Sequence, residues 1–179
     1  TKEQIAQAIK DGADKDWVQN ETPQHTVELS EYSIGKYPIT NREYQAFVRD
    51  VKFTPPNGWD GDQFPTEKGG HPVVNVSWDD AIAYCKWLSG KSGKQYRLPT
   101  EAEWEKAARG GKGYRYPWGG EITVNHANYS ENNLNSTSAV GAFPLGMNDY
   151  GLLDMSGNVW EWCATQWTKE GYKDYDKNE

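Results

Sequence analysis

The run Asn75 to Gly111, NVSWDDAIAYCKWLSGKSGKQYRLPTEAEWEKAARGG, decides the fold. It reads as two helices joined by a turn and a short extended piece. Ser77 is a good N-cap, and Asp80 three residues on gives a capping box of shorter reach than the usual Glu. Trp78, Ala81, Cys85 and Leu88 recur at three- and four-residue spacing and predict one apolar face. Ser89-Gly90 is expected to stop this helix, and Gly93 to turn the chain toward the next. Thr100 with Glu103 forms a full capping box, followed by the stripe Trp104, Ala107, Ala108. Lys106 and Arg109 suit the negative end of the helix dipole, and Gly110-Gly111 ends it. Glu101, Glu103 and Glu105 sit in the first turns, where acids serve as dipole and cap residues rather than as catalytic carboxylates.

Outward from this run, the 179 residues fit one domain. Only 36% are hydrophobic but 13% are aromatic, so burial must rest on large rings, each carrying much area. Eighteen glycines and nine prolines predict many loops and short regular elements. A net charge of −7 with no Lys/Arg cluster argues against nucleic acid and anionic membrane surfaces. No apolar run reaches membrane-spanning length and no signal peptide is visible; the compartment stays undetermined. Two cysteines, Cys85 and Cys163, do not make a disulfide scaffold.

Toward the N-terminus, Ile5, Ala8 and Ile9 predict a short helix within Thr1–Asp11 that Gly12 ends, followed by a polar loop to Thr22. Alternation from His25 to Tyr32 predicts a half-buried strand. Thr40 and Glu43 form another capping box, and Tyr44, Phe47, Val48 and Val51 line one helical face. Phe53 to Gly70 is a long loop, functional or packed by its own aromatics, Trp59 and Phe64. Toward the C-terminus, Gly110, Gly111 and Gly113 lack phosphate-loop spacing. Asn125 to Thr137 reads as a polar surface loop, and Lys169 to Glu179 as a charged, mobile one. Asn20, Asn75, Asn128 and Asn135 open short sequons that carry no weight without a secretory route. Near the C-terminus, alternation sets Trp160 and Trp162 on one face and Val159, Glu161 and Cys163 on the other. His25, His71 and His126 show no metal-ligand spacing, and no nucleophile elbow occurs. Cys85, on an apolar helix face, is expected to be buried and inert.

The central run resembles the formylglycine-generating enzyme (sulfatase-modifying factor) family. So do HTVELSEYSIGKYPITNREYQAF from His25 and VGAFPLGMNDYGLLDMSGNVWEWC from Val140 to Cys163. The resemblance implies an α+β, C-type-lectin-like fold, loop-rich, with two to three helices packed on short irregular antiparallel sheets. It implies structural calcium at the turn holding Gly157 to Trp162. The ligands would be Asp154, the carbonyls of Gly157 and Val159, and the Glu161 carboxylate, hard oxygens that suit Ca²⁺. A second calcium site would begin at Asn128 and the Tyr129 carbonyl, although its completing acidic loop is shorter here.

The copper-binding cysteine pair of the family's oxidases would lie beyond Trp167 and does not occur, so copper is not expected in this chain. The family's opening strand and closing Gly-Phe-Arg strand are likewise not seen. The expectation is therefore a single domain over 1–179, incomplete at both ends, with strands supplied by further sequence or a partner polypeptide. The leading functional expectation is a non-catalytic domain that binds or displays a protein or small ligand. Some relatives of this kind are variable proteins diversified by retroelements. The alternatives are a fragment of a copper-dependent formylglycine-generating oxidase, or a regulatory domain attached to a signalling or protease module.

Overall fold

The computed structural model describes residues 2–10, 12, 14–15, 18 and 25–166. Two compact units emerge, one of Thr1–Tyr32 with Thr165–Glu179, the other of Ser33–Ala164. In the first unit, helix α1 spans Lys2–Lys10, and the Gly12 N–H closes it onto the Ile9 carbonyl at 3.1 Å. Among its described side chains, Ile5, Ala8 and Ile9 are half-buried. Val27 and Leu29 are more covered than Glu28 and Ser30, so the expected alternation is present there. Among the described residues no ladder forms on it, however, and residues 25–32 are not a strand. Alternation fixes which side chains are covered; a strand also needs a neighbouring backbone to exchange hydrogen bonds with. The readings of the 11–22 loop and of Lys169–Glu179 fall largely or wholly outside the described residues.

The second unit is built on α2 (Asn41–Val51), α3 (Trp78–Ser92) and α4 (Glu101–Arg109), with short 3-10 turns at Ser130–Asn132 and Pro144–Gly146. All three helices carry complete capping boxes, from Thr40 to Glu43, Ser77 to Asp80 and Thr100 to Glu103. The short Asp80 side chain thus closes its box as well as Glu does, at 2.8 Å from the Ser77 N–H. Helix α3 runs through Ser89-Gly90 to Ser92 and ends on Gly93 in the left-handed conformation. The expected stop two residues earlier is overridden because the Ser89 hydroxyl binds the Cys85 carbonyl and receives the Tyr96 N–H, both at 2.8 Å.

The main core joins α2 to α3 through rings. Tyr44, Phe47, Val48 and Tyr84 are buried, with Trp59, Trp87 and Leu88 among the residues packed on them. Tyr44 stacks on Tyr84 at 5.5 Å between centroids, and Phe47 meets Trp87 at 5.6 Å. The buried face of α3 therefore runs through Tyr84, while Trp78, expected inside, stays 40% exposed. The helix is apolar on several sides, so spacing alone did not choose between faces. On α2, Val51 is likewise exposed. The 53–70 loop is packed by its own aromatics: Trp59 lies edge-on to Phe64 at 5.7 Å and to Tyr44 at 6.3 Å.

A second cluster holds Ala107, Ala108, Leu152 and Met155, with Ile34 and Trp104 against it. Among the described residues the only backbone pairings outside helices that count as bridges are isolated, Thr40 with Pro72 and Asp60 with Gln63. The short sheets expected from the resemblance are absent from these residues as regular ladders. Loops held by capping and side-chain bonds take their place.

Candidate functional site

The turn Asp154–Glu161 is built from left-handed backbone. Asp154, Gly157 and Asn158 take φ of 60°, 79° and 64°, which folds the chain back within five residues. Asn and Asp tolerate this region because their short polar side chains can bond locally. The Gly157 position is sterically closed: an added Cβ would collide with the Asn128 carbonyl. That carbonyl accepts the Asn158 N–H at 2.8 Å, and the Gly157 carbonyl accepts the Val159 N–H at 2.9 Å.

The Asn158 side chain ties the turn to a second loop. Its Oδ1 accepts the Ser138 N–H at 3.0 Å, and its Nδ2 donates to the Ser138 carbonyl at 3.2 Å and to Asp154 Oδ1 at 3.4 Å. Asp154 Oδ2 accepts the Gly141 N–H at 2.6 Å. Helix α4 faces the turn from the other side. Its C-terminal carbonyls at Ala107 and Ala108 receive the buried Asn148 amide at 2.6 and 3.4 Å, and Asn148 Oδ1 accepts the Leu152 N–H at 3.0 Å. Leu152 and Met155 are thereby set against Ala107 and Trp104, on either side of Asp154.

Glu161 is exposed as a residue, yet its carboxyl end is desolvated. Burial first, then the Asp154 carboxylate, pushes it up to about 7, against the Trp104 indole N–H, which pulls it down. A desolvated carboxylate is costly unless a hydrogen bond or a cation compensates it. The Asp154 and Glu161 carboxylates and the Gly157 and Val159 carbonyls are hard oxygen donors, and this set fits calcium chemistry. Among the described residues no three His, Cys, Asp or Glu side chains converge on one point, so an ion here would depend on carbonyl oxygens.

Of the residues expected at a second ion site, Asn128 is brought against this same turn. Its side chain donates to the Ser136 carbonyl at 2.9 Å, and the Tyr129 carbonyl accepts the Asn132 N–H at 3.0 Å. Sequence reading passed over Asn158 and Ser138. The Gly157-Asn158 pair was a legible signal for left-handed backbone; nothing marked Ser138.

Both cysteines are free and partly buried. Burial raises the Cys85 thiol, and burial, then Glu101 and Glu161, push Cys163 up to about 11. Each is therefore held as a thiol at neutral pH. The segment around Cys163 is latched at both ends: Trp78 Nε1 donates to the Cys163 carbonyl and Trp162 Nε1 to the Val76 carbonyl, both at 3.0 Å. Beside the latch Trp160 stands 93% exposed. The histidines are separately employed. His71 Nδ1 meets the Thr137 hydroxyl at 3.0 Å, and His126 stacks on Trp118 at 4.6 Å. Among the described residues no helix is long and apolar enough to cross a membrane.

The comparisons give these capped helices and loops a formylglycine-generating-enzyme-like fold. The structure of PvdO from Pseudomonas aeruginosa superposes with a TM-score of 0.63 and 33% identity, over 76% of this chain and 57% of that one. The chain belongs to the sulfatase-modifying factor enzyme 1-like domain family, whose model matches residues 6–178. It is 34% identical to the formylglycine-generating enzyme of Thermomonospora curvata over 84% of this chain, and 36% identical to the inactive C-alpha-formylglycine-generating enzyme 2 of Bos taurus over 82%. The chain spans 65% and 64% of those two relatives' own lengths.

Proposed function

We propose that this chain is a calcium-stabilised, non-catalytic domain of the family that presents its loops to a protein or small-molecule ligand. The observation that carries this reading is the state of its thiols. The sequence contains two cysteines, and both sit where the neutral thiol is favoured. A soft-metal oxidase needs the opposite, thiolates ready to bind Cu(I). The similarity to an inactive relative agrees with such a role. Calcium would be held by the Asp154 and Glu161 carboxylates with the Gly157 and Val159 carbonyls. Its charge would favour the ionised Glu161 carboxylate, which burial first and the Asp154 carboxylate last disfavour. Trp160, 93% exposed, would be a contact for such a ligand.

A second reading has its own support. The 34% identity to the Thermomonospora curvata enzyme suits a segment of a formylglycine-generating oxidase whose cysteine pair lies in further sequence. One experiment separates the two. The purified chain is incubated with Cu(I), oxygen and a cysteine-containing peptide, and aldehyde formation is followed by mass spectrometry. The proposal expects no conversion above the copper-only control. Conversion that disappears in Cys163→Ser would overturn it.

A further inference from the structure

Lys68-Gly69-Gly70-His71 is a turn closed by the His71 N–H on the Lys68 carbonyl at 3.0 Å. Helix α2 anchors it. The buried Asn41 amide donates to the same Lys68 carbonyl at 2.8 Å, and the Asn41 and Arg42 N–H groups donate to the His71 and Gly69 carbonyls at 2.9 and 3.1 Å. The facing loop is joined to the turn by the Val140 N–H on the Gly70 carbonyl at 2.9 Å, and Asn128 Nδ2 holds its Ser136 carbonyl at 2.9 Å. Backbone bonds thus place both sides of this seam.

Into the seam the two loops put an ammonium, an imidazole and two hydroxyls. Lys68 Nζ donates to Ser136 Oγ at 2.7 Å and lies 3.5 Å from both His71 Nδ1 and the Thr137 carbonyl. His71 Nδ1 meets the Thr137 hydroxyl at 3.0 Å. Lys68 is half-buried, yet among the described residues no carboxylate forms an ion pair with it. Acids outnumber bases in the chain, 26 to 19, so scarcity does not explain this. A cation drawn away from water is costly without a counter-charge. Burial first, then the Lys68 ammonium, hold the His71 imidazole below its ordinary value, as two adjoining basic groups require. Ser136 is exposed and, accepting from Lys68, keeps its own O–H to donate.

We propose that Lys68, His71, Ser136 and Thr137 form a binding site for a phosphate group, free or carried as a monoester. Lys68 supplies the point charge and the Ser136 hydroxyl a donor beside it, a pairing that suits a tetrahedral oxyanion; a planar carboxylate is better matched by an Arg fork. The site stands whether or not the Asp154–Glu161 turn holds calcium.

The test is titration calorimetry in calcium-free buffer at constant ionic strength, with inorganic phosphate, glycerol phosphate and acetate. The chain is compared with Lys68→Met, Ser136→Ala and Lys86→Met, the last removing the same charge from an exposed position on α3. The parent and Lys86→Met are expected to bind phosphate or its monoester and not acetate. Lys68→Met should weaken binding at least about tenfold, the worth of one charge-assisted hydrogen bond, and Ser136→Ala about fivefold, that of a neutral one. Phosphate should raise the parent's melting temperature, and that rise should vanish in Lys68→Met. Binding of the monoester alone assigns the site to an esterified phosphate, and binding of both to the phosphate group itself. No saturable binding of either by the parent overturns the proposal. So does acetate binding as tight as phosphate, or an equal loss in Lys68→Met and Lys86→Met. A rise in melting temperature that Lys68→Met retains marks a merely structural lysine and overturns it too.

Discussion

Gly157 combines a φ of 79° with a Cβ direction blocked by the Asn128 carbonyl, whereas Gly58, at 93°, has open space around it. Gly58→Ala should cost about 1–2 kcal/mol from left-handed backbone alone. Gly157→Ala should cost at least about 1 kcal/mol more, and denaturant midpoints of the two variants measure the difference. Glu161 supplies a second test at this scale. Its folded-state value lies above the ordinary carboxylate value, so the folded protein binds more protons than the unfolded one between about 4.5 and about 7. In chelator this group therefore makes stability fall as pH rises through that window. His71, held low first by burial and then by Lys68, acts in the opposite sense. The difference between the parent and Glu161→Gln isolates the term: their stability gap should shift in the mutant's favour from pH 4.5 to 7, and a gap independent of pH would refute it. Asp154 and Glu161 were singled out in the sequence only through resemblance. Trp104 read as core stripe, which it is, and its polar edge was hidden by that correct reading.

Helices were the legible elements, because their signals are local. Each capping box joins residues three apart, and all three boxes close. The Thr100 box is reinforced by Arg97, which donates to both Glu103 oxygens at 2.6 Å while Glu103 is only 8% exposed. Thr100→Ala should cost about 1 kcal/mol. Arg97→Ala should cost about 1–3 kcal/mol, since it leaves a carboxylate buried without its partner, and Arg97→Lys should not restore the loss because an ammonium cannot bridge both oxygens. Urea denaturation of the three variants orders these effects. Arg97 first, against burial, holds the Glu103 carboxyl below its ordinary value. Its contribution is present at neutral pH and is lost as pH falls through that depressed value. Strands were the illegible elements. Alternation at residues 25–32 describes coverage but cannot say whether a neighbouring backbone is within reach. The buried face of α3 was equally undecided by spacing, until Tyr84 met Tyr44.

At the scale of the whole molecule, aromatic composition gave the core its character and loops gave it its form. Trp59 and Phe64 turn a long connection into a packed one, which the paired alternatives at the sequence level had allowed for. On the proposed reading, calcium would be a further global lever. At one hundred times its dissociation constant it should stabilise the fold by about 2.7 kcal/mol. Thermal melts in excess calcium and in excess chelator should separate accordingly, and superimposable curves would dismiss the ion. The latch between Trp78 and Cys163, with Trp162 and Val76 beside it, joins residues 85 and 86 positions apart. At roughly 5–20 residues per second of synthesis, Trp78 waits about 4 to 17 seconds before its partner carbonyl exists. Through that interval a nascent chain carries the ring cluster of α2 and α3 with its later half unmade, and the turn that would hold calcium is among the last parts of the Ser33–Ala164 unit to be translated.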